Sequence, residues 1–94
     1  MSFKNIKEQF PIFKKKINGK QLVYLDSANS SQKPQVVIDA VNNFYSNDFA
    51  NVGRGIYTLA INASEKYENT RVNLKKFIGC GEENEIIFTK NATE

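Results

Sequence analysis

Histidine and tryptophan are absent from this 94-residue sequence, cysteine and methionine occur once each, and proline occurs twice. Without histidine, no Ser–His or Cys–His catalytic pair exists within the chain. The remaining residues show no metal-ligand spacing. Neither a phosphate-binding P-loop nor a dinucleotide-binding glycine fingerprint is present. One cysteine cannot make an internal disulfide, which suits a reducing compartment. No uninterrupted apolar run is longer than Leu22–Leu25, far short of the ~20 residues that a membrane helix needs. Met1–Asn5 is not followed by the apolar stretch of a secretory signal. The cytoplasm is therefore the expected compartment, with no membrane partner.

What is present is ordinary globular composition, with 40% hydrophobic and 24% charged residues, so disorder of the whole chain is not expected. The formal net charge is +3. Much of it sits in Lys14-Lys15-Lys16, a short run without interleaved aromatic residues, which reads as a solvated loop or edge strand. No nucleic-acid partner is expected. Asparagine is frequent but scattered, not in tracts.

Local signals order the chain. Ser2 caps a short helix carrying Phe3, Ile6 and Phe10, and Pro11 ends it. Asn18-Gly19 supplies the two positive-φ residues of a tight hairpin turn. The second strand is predicted to run from Lys20 to near Asp26. The small polar stretch Asp26–Lys33 reads as a loop, and Pro34 suits the first turn of a helix. Val37, Ala40, Val41, Phe44 and Tyr45 continue that helix at helical spacing. Asn47–Tyr57 reads as irregular. Thr58 is the predicted N-cap of a longer helix, which Gly79 stops. Glu85–Thr89 is predicted to be a buried strand, and Lys90–Glu94 the beginning of another helix. An apolar strand with nothing to pair its edges is a liability. The 94 residues are therefore expected to be a single amino-terminal fragment of a larger α/β domain, with the catalytic remainder elsewhere.

Chemistry concentrates at few places. The junction after the predicted last strand offers free N–H groups and the Thr93 hydroxyl, which suits a phosphate; a plain helix cap is the competing reading, and the local sequence favours it. Arg54, between Gly53 and Gly55, sits where the backbone can approach a ligand closely, and arginine is suited to planar recognition of carboxylate or phosphate; a solvated loop arginine fits the local sequence equally well. The Ala28-Asn29 loop is equally consistent with a plain strand-to-helix connection. Cys80 lies past a predicted helix C-terminus with Glu82 and Glu83 following. A reactive thiol has a helix N-terminus or cations beside it instead, so Cys80 reads as structural. No lysine occupies the apolar surroundings that a Schiff-base lysine requires.

Together these stretches resemble a known pattern. Val23–Pro34 resembles the run YLDSAASxQKP of SUF-type cysteine desulfurases, members of the class V aminotransferase family of pyridoxal-phosphate enzymes. Asn51–Leu59 resembles their NVHRGIHTL, Ser64–Arg71 their TEKYENVR, and Ile86–Glu94 their IIFTRGTTE. Gln9–Phe13 is similar to DFPIL. The resemblance runs from about Ile6 to Glu94 and covers roughly the first quarter of the family's chain.

The resemblance implies an α/β fold, the amino-terminal portion of a fold-type I pyridoxal-phosphate enzyme: helix, β-hairpin, two helices and the first strand of the large domain. It implies a homodimer that moves sulfur from L-cysteine through an enzyme persulfide, releases L-alanine, and hands the sulfur to an acceptor protein of iron–sulfur cluster assembly. The lysine that carries the cofactor and the persulfide cysteine both match positions beyond Glu94, so no catalytic residue is expected in this chain, and the fragment alone is expected to be inactive. Thr93 falls on the family's threonine that contacts the cofactor phosphate, and here the resemblance overrides the cap reading. Ala28 and Asn29 fall on the loop lining the substrate side, and Arg54 on an arginine near the active site at the dimer boundary. Four departures accompany these matches: Gly53 and Tyr57 stand where the family has histidines, Asn29 where it has alanine, and Ala92 where it has a first threonine. They bear on substrate choice, and leave open another class V lyase or a selenocysteine lyase. A non-catalytic dimerisation module is the reading from a different class.

Overall fold

The computed structural model describes residues 2–82 and 85–94. The chain divides into two compact units, Met1–Asn47 and Asp48–Glu94.

In the first unit, helix α1 spans Phe3–Glu8, with the Ser2 hydroxyl accepting from the Asn5 N–H at 3.5 Å. Pro11, which lacks an N–H, opens a tighter 3-10 turn over Pro11–Lys14. Strands β1 (Lys16–Ile17) and β2 (Lys20–Gln21) then form an antiparallel hairpin that pairs Lys16 with Gln21 and Ile17 with Lys20. Its turn is the expected one, with φ of 51° at Asn18 and 74° at Gly19. The strands are shorter than expected, and Leu22–Asp26 continues without a ladder. The partner strand explains this: the 3-10 turn ends at Lys14, leaving only Lys15–Ile17 to pair. The main-chain N–H of Gln35 donates to the Gln9 carbonyl at 2.7 Å and ties the start of the next helix to the end of α1.

Helix α2 covers Gln35–Asn43, with Pro34 as its N-cap. It runs on into a wider π-type turn, Phe44–Asp48, where the Asn47 amide donates to both the carbonyl and the side chain of Asn43. The irregular segment therefore starts two residues later than Asn47.

The second unit is built on helix α3, Thr58–Ile78. Its N-cap is Tyr57, without a side-chain capping bond, so Thr58 is the first helical residue and not the cap. Gly79 ends the helix in the left-handed region at φ 73°, as expected. The buried apolar residues among those described are Ala60 and Ala63, one helical turn apart on α3, and Ile86. The expected strand over Glu85–Thr89 is not formed by the described residues. Ile86 is buried, but Ile87 is 78% exposed. A strand exists only against a hydrogen-bonding partner, and the described residues contain no sheet besides the hairpin.

What holds this segment is a side chain of α3. The Arg71 guanidinium donates to the Ile86 carbonyl and lies 5.0 Å from the Phe88 ring centroid and 5.6 Å from that of Tyr67. The two rings meet edge to face at 5.2 Å. Glu68 adds a carboxylate 3.4 Å from the Arg71 Nε. Planar arginine suits such a position because it bonds in its plane and stacks across it.

Candidate functional site

The site residues expected from sequence fall on three loops. Ala28 and Asn29 belong to the first unit, and Arg54 and Thr93 to the second.

The Asp26–Lys33 loop is braced by its own polar groups. The Asp26 carbonyl accepts from the N–H of Asn29 and of Ser30, each at 3.1 Å, and the Asp26 carboxylate accepts from the Asn29 amide at 2.8 Å. The Tyr24 hydroxyl donates to the Ser30 carbonyl. Asn29 is thus committed as a donor to Asp26, and its side-chain oxygen stays available as an acceptor. Ala28 is exposed beside it. Short polar side chains that bond their own backbone are what a tight turn of this composition provides.

Arg54 is exposed and makes no hydrogen bond or ion pair with any described residue, so its fork of donors is open to a ligand. The loop owes its path to its glycines. Gly53 adopts φ 105°, a conformation that L side chains rarely take, and its N–H donates to the Ser64 hydroxyl on α3 at 3.0 Å. At Gly55 a β-carbon would meet that of Ala60 at 2.2 Å. The backbone here lies directly against α3. Asp48 pairs with Lys66 and closes the loop from its other end.

Thr93 is exposed in the turn Lys90–Glu94. The cap of this turn is Asn91: its side-chain oxygen accepts from the N–H of Thr93 at 3.0 Å and of Glu94 at 3.1 Å. The Glu94 carboxylate takes the Lys90 N–H at 2.6 Å. Three main-chain N–H groups of five consecutive residues are thus turned toward side-chain oxygens. Those of Thr93 and Glu94 converge on one oxygen, as donors of an anion site do, while that of Lys90 meets a different oxygen.

Sequence reasoning missed Asn91, Ser64 and Arg71. Asn91 had a readable signal, since asparagine is a favoured cap whose side-chain oxygen accepts from the N–H groups two or three residues on. Ser64 and Arg71 bound a stretch that resembles the family, but nothing local named their partners, which lie 11 and 15 residues away. Cys80 is half-buried past Gly79, with its sulfur 4.0 Å from the Lys75 carbonyl and 3.8 Å from that of Glu82. Among the described residues no helix is long and apolar enough to cross a membrane.

Residues 23–94 match the family model for aminotransferase class-V, and the chain belongs to that family. Its relatives narrow the group further. It is 45% identical, over 95% of its length, to a probable cysteine desulfurase of Synechocystis sp., of which the match covers 21%. It is 45% identical over its whole length to a cysteine desulfurase of Serratia proteamaculans, covering 24% of that protein. It is 43% identical over 97% of its length to the cysteine desulfurase SufS of Plasmodium falciparum, covering 16%. The chain therefore spans between about a sixth and a quarter of the length of these relatives.

Proposed function

We propose that residues 1–94 form the amino-terminal part of a pyridoxal-phosphate-dependent cysteine desulfurase, which takes sulfur from L-cysteine and releases L-alanine. The observation that carries this reading is the identity of 43–45% to cysteine desulfurases across nearly all of this chain. Sulfur delivery to an acceptor protein for iron–sulfur cluster assembly, and action as a homodimer, belong to the same proposal.

The donor set of the Lys90–Glu94 turn suits the phosphate of such a cofactor. Thr93 contributes a hydroxyl, and the N–H groups of Thr93 and Glu94 become available when the Asn91 side chain turns away. Pyridoxal phosphate, when bound, supplies an electron sink for the substrate's α-carbon. Thr93 anchors, and Arg54, with an open guanidinium, binds the carboxylate of the amino-acid substrate. Ala28 and Asn29 shape the substrate side, where Asn29 presents an acceptor oxygen held in place by Asp26. The chain by itself is inactive on this reading, since no lysine in it is placed for the cofactor.

The test is alanine production by the full-length enzyme that carries these residues, with L-cysteine and L-selenocysteine offered separately. Cofactor-dependent alanine release from L-cysteine is expected. Release from selenocysteine alone moves the assignment to a selenocysteine lyase, and release from neither sinks it. The 94-residue chain alone is expected to show no cofactor absorbance, and a borohydride-trapped lysine adduct at one position overturns that part.

A further inference from the structure

The first unit carries a feature that the desulfurase reading does not use. A cleft of about 570 Å³ opens between α1, the 3-10 turn and the hairpin, with Phe10 and Phe13 in its wall. Five lysines line it: Lys4 and Lys7 from α1, and Lys14, Lys15 and Lys16 from the segment after Pro11. Glu8 is the one acidic residue in the lining. In sequence Phe13 directly precedes the lysine run; the fold adds Lys4 and Lys7 of α1 to the same cleft. Among the described residues none of these five ammonium groups has an ion-pair partner, and Lys7 lies 5.4 Å from the centroid of the Phe13 ring.

Five like charges around one cleft repel one another, and a ligand that brings negative charge removes that cost. The rings select which anion. A single-stranded nucleic acid stacks its bases on free aromatic faces. Here Lys7 lies over Phe13, and Phe10 and Phe13 meet at 56° with centroids 6.0 Å apart. That geometry leaves no pair of parallel platforms, yet it leaves apolar surface for a side chain. Lysine ammonium groups are point charges that accept carboxylates from many directions.

We propose that this cleft docks an acidic peptide segment of a partner protein, with carboxylates meeting the lysines and one apolar side chain lying against Phe10 and Phe13. The complementary surface is cationic at its rim and apolar at its wall, which is the usual division of labour in a protein interface.

The test is fluorescence anisotropy of a fluorescein-labelled Glu-Glu-Phe-Glu-Glu peptide titrated with the full-length enzyme that carries these residues. Binding is expected to weaken as salt is raised, because these charges are exposed and screened. The double variant Lys14→Glu/Lys16→Glu is expected to lose about tenfold or more in affinity, while Lys33→Glu/Lys76→Glu, with the same net charge, leaves it unchanged. Replacing the peptide's phenylalanine by serine is expected to weaken binding without touching the protein, which keeps the proposal open to refutation even where a variant fails to fold. No binding, equal loss in both double variants, indifference to the phenylalanine, or tighter binding of an oligothymidylate each overturns the proposal.

Discussion

Gly55 leaves no room for a side chain: its missing β-carbon would lie 2.2 Å from that of Ala60, a fully buried residue. Gly55→Ala is expected to destabilise the second unit by about 1–3 kcal/mol through overpacking, read as earlier loss of helical circular dichroism on denaturant addition. Gly53 differs in kind. Nothing lies within 4 Å of its β-carbon position, but its φ is 105°. Placing there the histidine that the resemblance implies, Gly53→His, is therefore expected to cost about 1–3 kcal/mol of backbone strain, and the same denaturant titration checks it. An unchanged midpoint for Gly53→His means that the loop relaxes to a negative φ. Thr93 carries the functional prediction. In the full-length enzyme Thr93→Ala is expected to remove one bond to a charged group, worth about 1.5–3 kcal/mol, or roughly ten- to a hundred-fold in cofactor affinity. Ala92 supplies no second hydroxyl to compensate. Arg54→Ala is expected to lower turnover with the cofactor still bound, so cofactor titration and alanine production separate the two roles. Unaltered cofactor affinity in Thr93→Ala removes Thr93 from the site.

At the scale of elements, the segment after α3 depends on one side chain. Arg71 bonds the Ile86 carbonyl and stacks on Tyr67 and Phe88. Its side chain is 20% exposed, so removal leaves a carbonyl short of its donor and opens a gap beside two rings. Arg71→Ala is expected to cost about 1–3 kcal/mol, read as a lower denaturant midpoint for the second unit. Arg71→Lys, which keeps the charge and loses the planar fork, is expected to restore only part of that stability. Helices α1 to α3 and the hairpin turn were legible in sequence to within a residue or two, through Ser2 at the start of α1, Gly79 at the end of α3 and Asn18-Gly19, whereas Lys90–Glu94, read as the beginning of a helix, is a turn. Each of those three signals is read within one turn of chain. Glu85–Thr89 was read as a strand from its apolar residues alone, and that reading lacked the one thing a strand requires, a partner.

For the molecule as a whole, burial is meagre. Ala60, Ala63 and Ile86 are buried, whereas Phe3, Leu25, Ile56 and Phe77 are each at least 88% exposed. So much apolar surface in water leaves little to oppose chain entropy. The isolated 94 residues are expected to melt broadly or to self-associate. Sedimentation combined with a thermal scan checks this, and a sharp two-state transition of a monomer contradicts it. By itself the sequence determined the helices, the hairpin turn and the family, because hydrogen bonds of helices and tight turns close within a few residues, and because family likeness resides in side chains. Only the tertiary structure decided that Gly53 bonds Ser64, that Arg71 holds the Ile86–Phe88 segment, and that Lys4 and Lys7 of α1 share a cleft with Lys14–Lys16. Those contacts join residues that the backbone must bend to bring together, and no local spacing encodes where the bend will lead.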